Sequence, residues 1–351
     1  MWARILGSAA GGGFPQWNCS CRNCDGARTG DLPVRARTQA ALAVSADRRG
    51  WFLVNATPDI GAHLARLAGP DAGPDAPARG GAGGGGVRGG GAGRDDRGRS
   101  GGGEVRGRAG GGEVRRSPVR AVLLTDAELD HTAGLLSLRE GDGLTVYATA
   151  AILRAAAPLL AILGAYQPVV RRVLEPGTDT PLDGYLSVRA LPTGSPKLPR
   201  YAAHLPPDPA GVVGYVFTER GRPGPDGDRR ATEPGPDGGA VLVYLPCVPE
   251  LTPDLVTELA AADCALVDGT CWTDDEMTLV GRPEKTSRSM GHAPVTGPGG
   301  TLPVLAALPG TRRIYTHLNN TNPLLVEDSA PRRAVEAAGV EVAHDGMEFA
   351  L

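Results

Sequence analysis

Short apolar runs separated by polar turns dominate the chain. Trp51-Phe52-Leu53-Val54-Asn55 and Val119-Arg120-Ala121-Val122-Leu123-Leu124-Thr125 are β-rich and of strand length. Val212-Val213-Gly214-Tyr215-Val216-Phe217 and Ala240-Val241-Leu242-Val243-Tyr244 read the same way. Helical stretches lie at 148–163, 253–262 and 302–308. Strands alternating with helices predict a layered α/β arrangement. Several strands end in polar clusters, and a sheet sandwich would bring such chain-distant loops to one rim, where active sites are commonly built.

The pattern lapses twice. From 69 to 117 the chain is nearly all Gly, Arg, Ala, Asp and Pro, with nothing to offset its conformational entropy. This predicts a disordered Gly/Arg-rich insertion at 69–117, and residues 219–239 predict a second, flexible loop. Both lie between strand-like runs, and closing a longer loop costs little, so a single domain spanning 1–351 is expected. These stretches account for the unusual totals of 52 Gly and 31 Pro.

A hydrophobic content of 41% in 351 residues is enough to bury a large core. The formal charge of −3 offers no extended cationic face, so nucleic acid is not an expected partner. The sequence has no apolar run long enough to span a membrane and no signal-like N-terminal segment, which predicts a soluble, cytoplasmic protein without a membrane partner.

Cys19, Cys21 and Cys24 form a C-x-C-x-x-C cluster tight enough for three thiolates to converge on one ion. Zinc suits such a donor set, and a fourth side chain from a distant segment would close a structural tetrahedral site. Asn320 and His292 are candidates for that fourth ligand. Cys247, Cys264 and Cys271 read as buried small residues, with Cys247 near enough to the second polar cluster to ligate a soft ion. His63, His204 and His344 read as structural or exposed.

That second cluster follows the strand at 119–124, where Asp130 and His131 stand at a strand-to-helix junction. His317 and Asp268 end two later strands, so polar strand ends from three parts of the chain can meet at one metal. Here the chain resembles the metallo-β-lactamase superfamily, whose H-x-H-x-D-H signature is matched by Asp126, Glu128, Asp130 and His131. The resemblance implies an αββα sandwich of two mixed β-sheets flanked by helices. It also implies that the first metal site is lost, while the second survives in Asp130, His131 and His317. Two further superfamily ligands fall near Ser195 and Cys247.

Longer strings are closer still to the coenzyme PQQ biosynthesis protein B family. They are Gly7 through Cys19, Asp130 through Glu140, Val267-Asp268-Gly269-Thr270, Met290-Gly291-His292, and His317 through Pro323. This resemblance implies hydroxylation, dependent on iron and O2, of the tyrosine in a Glu–Tyr crosslinked precursor derived from the peptide PqqA. Two imidazoles and one carboxylate are the ligand set that leaves positions open at Fe(II), although other divalent metals accept the same donors. Within that reading His292 and Asp268 are catalytic candidates, while Arg139, Trp272 and Arg37 are candidates for the substrate's carboxylates and ring. Other PQQ-pathway proteins are potential partners. Two alternatives stay open: a non-enzymatic carrier of PQQ or its precursor, and a metal-dependent hydrolase of the same fold.

Overall fold

The computed structural model describes residues 1–67, 117–195, 197–220, 239–308 and 310–351. The insertion expected at 69–117, apart from Ser117, and residues 221–238 of the loop expected at 219–239 lie outside the described residues.

In chain order the strands are β1 (Trp2–Gly7), β2 (Ala41–Ser45), β3 (Trp51–Val54), β4 (Val119–Leu123), β5 (Leu144–Ala148), β6 (Val169–Val173), β7 (Thr180–Pro181), β8 (Leu186–Pro192), β9 (Val213–Glu219), β10 (Val241–Leu245), β11 (Cys264–Asp268), β12 (Arg312–Thr316), β13 (Val340–Val342) and β14 (Glu348–Ala350). The helices are α1 (Arg22–Thr29), α2 (Ile60–Leu67), α3 (Leu129–Thr132), α4 (Ala150–Ala155), α5 (Ala157–Gly164), α6 (Pro253–Ala260), α7 (Leu302–Ala306) and α8 (Ala330–Ala337). The strands form two seven-stranded sheets, ordered β14-β1-β2-β3-β4-β5-β6 and β13-β12-β11-β10-β9-β8-β7. Each sheet is mixed: β3 to β6 run parallel in the first and β10 to β13 in the second, while the remaining neighbours are antiparallel.

Side-chain alternation explains why the central strands of the second sheet read as unbroken apolar runs. Cys264 and Leu266 of β11 join the core shared with the first sheet, whereas Ala265 and Val267 face a second core with Leu255 and Leu259 of α6, Leu305 of α7 and Val335 of α8. On the other side, Ile60 of α2, Ile152 of α4 and Leu163 of α5 belong to the shared core with β2 to β4. The result is the αββα sandwich of two mixed sheets that the sequence led us to expect. Tyr215 of β9 ties the layers together, its hydroxyl donating to the Leu124 carbonyl just past β4 at 2.6 Å.

One element differs from expectation. The helix expected at 148–163 is two helices, α4 and α5, because Pro158 in the first turn of α5 has no N–H to donate back to the turn before it. Among the described residues no helix is long and apolar enough to cross a membrane.

Candidate metal centre

Because β10, β11 and β12 are parallel, the segments that follow them emerge on one rim, carrying Cys247, Thr270 and His317 respectively. β4 delivers Asp126, Asp130 and His131 to the same place. A cavity of about 640 Å³ opens there, lined by Asp126, Asp130, His131, Cys247, His292 and His317 among others.

Three imidazoles in this cavity are each fixed through Nδ1. His131 Nδ1 lies 2.7 Å from Asp126 Oδ2, and His292 Nδ1 lies 2.7 Å from Asp268 Oδ2. His317 Nδ1 lies 2.8 Å from the Thr270 hydroxyl, which itself donates to Asp268 Oδ1 at 2.6 Å. With each Nδ1–H donated to an oxygen, the network assigns each ring, when neutral, the tautomer whose Nε2 lone pair is free. Asp268 also accepts from the backbone N–H groups of Val248 and Thr270, both at 2.9 Å. It is wholly buried and serves as the hub of this network.

The free nitrogens converge. His131 Nε2 is buried without a hydrogen-bond partner. It lies 3.9 Å from Asp130 Oδ2; His131, Cys247 and His317 each bring a donor atom within 4.8 Å of the others, with Cys247 Sγ 3.9 Å from His317 Nε2. A buried, unpartnered lone pair carries a desolvation penalty that a cation removes, so these donors fit a metal ion. Asp268, His292 and His317 also gather within 4.8 Å, but the short contacts of Asp268 there are hydrogen bonds, so we read that group as an orienting network.

Electrostatics divide the two histidines. Burial works against the charged form of His131, yet Asp126 and Asp130 overcome it and raise the ring to about 9, so a metal ion binding at Nε2 would displace a proton from it. Burial, together with repulsion from His292 and His131, takes His317 down to about 3. His317 also has a left-handed backbone, φ 59°, which is costly for a non-glycine residue. The next residue holds it in place: Leu318 donates its N–H to Ser8 O at 2.9 Å and accepts from Ala10 N–H at 2.8 Å. Gly11 follows in the same loop, and a Cβ there would come within 2.8 Å of Asp130 Oδ2.

The Cys19, Cys21 and Cys24 sulfurs lie within 4.8 Å of one another, at the entry to α1. The Asn320 side-chain amide points at all three, with Nδ2 at 3.0, 3.6 and 3.5 Å from Cys19, Cys21 and Cys24. Burial first, then the neighbouring thiols, pushes Cys21 up to about 11. The three thiols fit a zinc site, which the Asn320 amide would close through its oxygen once the group is turned. His292, the other candidate fourth ligand, is instead committed to Asp268 beside the cavity.

The structure corrects the expected substrate contacts. Arg139 is exposed, paired with Glu140 at 3.2 Å and set over the Tyr166 ring. Arg37 is buried, with Nη1 donating to the Ser8 hydroxyl at 3.3 Å and to the Ala343 carbonyl. Trp272 packs against the outer core of the second sheet. None of the three lines the cavity, whose cations are Lys197, Arg200 and Lys285. Sequence reasoning also missed Asp126 and Thr270 as the partners of His131 and His317. The first replaces a superfamily histidine and the second follows Asp268 by two residues, which were the available signals. Glu128, at the other lost histidine position, pairs with Lys197 at 3.5 Å.

The Beta-lactamase superfamily domain matches residues 106–318. Coenzyme PQQ synthesis protein B from Azoarcus sp. (strain BH72) is 39% identical, with 100% of both chains covered. The protein of that name from Cupriavidus necator is 40% identical, with 99% of both covered. Among solved structures, Zn(2+)-bound PqqB from Methylobacterium extorquens superimposes with a TM-score of 0.76 at 36% identity, covering 100% of both chains. The chain therefore belongs to the coenzyme PQQ synthesis protein B family, within the metallo-β-lactamase fold.

Proposed function

We propose that this protein acts in the synthesis of PQQ as an iron- and O2-dependent hydroxylase. Its substrate would be the tyrosine ring of a small peptide-derived Glu–Tyr crosslinked precursor. The observation that carries this reading is the placement of His131, His317 and the Asp130 carboxylate on one cavity, with His131 Nε2 unpartnered and 3.9 Å from Asp130 Oδ2. Asp126 and Glu128, the residues that could have rebuilt the first metal site of a hydrolase, are committed to His131 and Lys197. Two imidazoles and a carboxylate leave positions open on ferrous iron for O2 chemistry. Cys19, Cys21, Cys24 and Asn320 would hold a separate zinc that fastens the N-terminal loop.

The remaining residues supply binding and proton movement. Lys197, Arg200 and Lys285 would meet the carboxylates of the precursor. His292, with Nδ1 tied to Asp268, presents Nε2 as the atom that takes or returns the phenol proton. Asp268 acts through His292 and, by way of Thr270, through His317.

The test is anaerobic loading with Fe(II), then O2 and a reductant in the presence of a crosslinked Glu–Tyr dipeptide, followed by mass spectrometry. Gain of one oxygen atom in wild type and none in His317→Ala is expected. Recovery of the dipeptide unchanged from well-folded, iron-loaded protein would favour a carrier.

A further inference from the structure

One donor in the cavity has no part in the two-histidine, one-carboxylate set. Cys247 lies in the segment after β10, and its Sγ is 3.9 Å from His317 Nε2. Two donors bonded to one ion at about 2.1 Å for nitrogen and 2.3 Å for sulfur lie at most about 4.4 Å apart, so this pair already suits a shared ion. A ring nitrogen of His131 also falls within 4.8 Å of donors from Cys247 and His317, and its Nε2 is buried without a hydrogen-bond partner. The thiol is placed by the same hub as the histidines, because the N–H of the next residue, Val248, is anchored on Asp268 Oδ2 at 2.9 Å. Cys264 and Cys271 are fully buried and belong to neither candidate metal group.

We propose that Cys247 is a ligand of the active-site ion together with His131, His317 and Asp130. The inference rests on the metal reading of this cavity and extends its donor set. On binding, the S–H bond breaks, the proton passes to solvent and the thiolate binds the ion without any change of oxidation state. A thiolate in the set favours iron, zinc or cobalt and disfavours magnesium, calcium or manganese, which prefer oxygen donors.

Cobalt(II) is the probe, because thiolate ligation gives it an intense near-ultraviolet charge-transfer band. Spectra and bound metal would be compared for wild type, Cys247→Ser and His317→Ala, each with its N-terminal cysteine cluster intact. We expect the wild-type minus His317→Ala difference to contain both ligand-field and thiolate bands, and Cys247→Ser to lose only the thiolate component while still binding the ion. A difference spectrum with ligand-field bands and no thiolate band would overturn the inference and leave the metal centre standing. If His317→Ala loses neither bound cobalt nor any band, the metal reading itself fails. Should Cys247→Ser not fold, the His317→Ala difference spectrum decides alone.

Discussion

Asp126 stands where the superfamily signature has a histidine, and its carboxylate accepts from His131 Nδ1 and from the Glu128 N–H instead of facing an ion. At the position of a superfamily ligand the chain thus carries an orienting partner for the His131 ring. Asp126→Asn keeps the size and weakens the acceptor, so it should reduce metal affinity at the cavity by roughly 10- to 100-fold. Competitive titration against a chromophoric chelator checks this, and an unchanged affinity would show that Asp126 does not orient the ring.

His63 illustrates a different use of burial. Removal from water keeps its imidazole neutral, moving it down to about 4, while Nε2 bonds the Thr38 hydroxyl at 2.8 Å. A depressed histidine favours folding fully above its unfolded value near 6.5, and that stability is lost as pH falls towards 4, up to about 3 kcal/mol. Urea midpoints measured across this range should fall in wild type and stay flatter in His63→Gln. The polar ends of strands at Asp130, His131 and His317 were legible as residue types in the sequence. Thr270 was not, because a hydroxyl two residues beyond an aspartate carries no pattern of its own.

At the scale of elements, the run of parallel strands β10 to β12 explains how residues seventy positions apart come to touch, as Cys247 and His317 do. β9 closes the base of the site against the first sheet through Val213 N–H to Thr125 O at 2.8 Å and through the Tyr215 hydroxyl. Tyr215→Phe leaves the buried Leu124 carbonyl without that donor and should cost about 1–3 kcal/mol in denaturant unfolding. A loss near zero would mean the tyrosine contributes only packing.

The segment after β12 serves both clusters, with His317 in the cavity and Asn320 on the three thiols. Stripping metal with a strong chelator should therefore lower the melting temperature of wild type and of His317→Ala. Cys24→Ser should begin lower and respond less. An equal response in all three would contradict a zinc at the cysteines that supports the fold. Strand and helix positions were largely legible from apolar periodicity. The break between α4 and α5 falls at Pro158, inside an otherwise continuous apolar stretch.

In the whole molecule, each sheet contributes part of one cavity. β4 brings the aspartates and His131, and the parallel half of the second sheet brings Cys247, the Asp268 hub and His317. The αββα arrangement was legible through resemblance. Which arginines and lysines face the cavity was not, because exposure and direction at Arg37, Arg139 and Lys197 depend on packing that no local pattern encodes. The function proposed above is single-metal oxygen chemistry in this cavity. The most direct test is to run the iron-loaded reaction with the crosslinked dipeptide under ¹⁸O2 in ordinary water, and again under ordinary O2 in labelled water. Incorporation of one labelled atom into the tyrosine ring from the gas is the predicted result. Label entering only from water, or cleavage of the dipeptide without ring oxygenation, would contradict it.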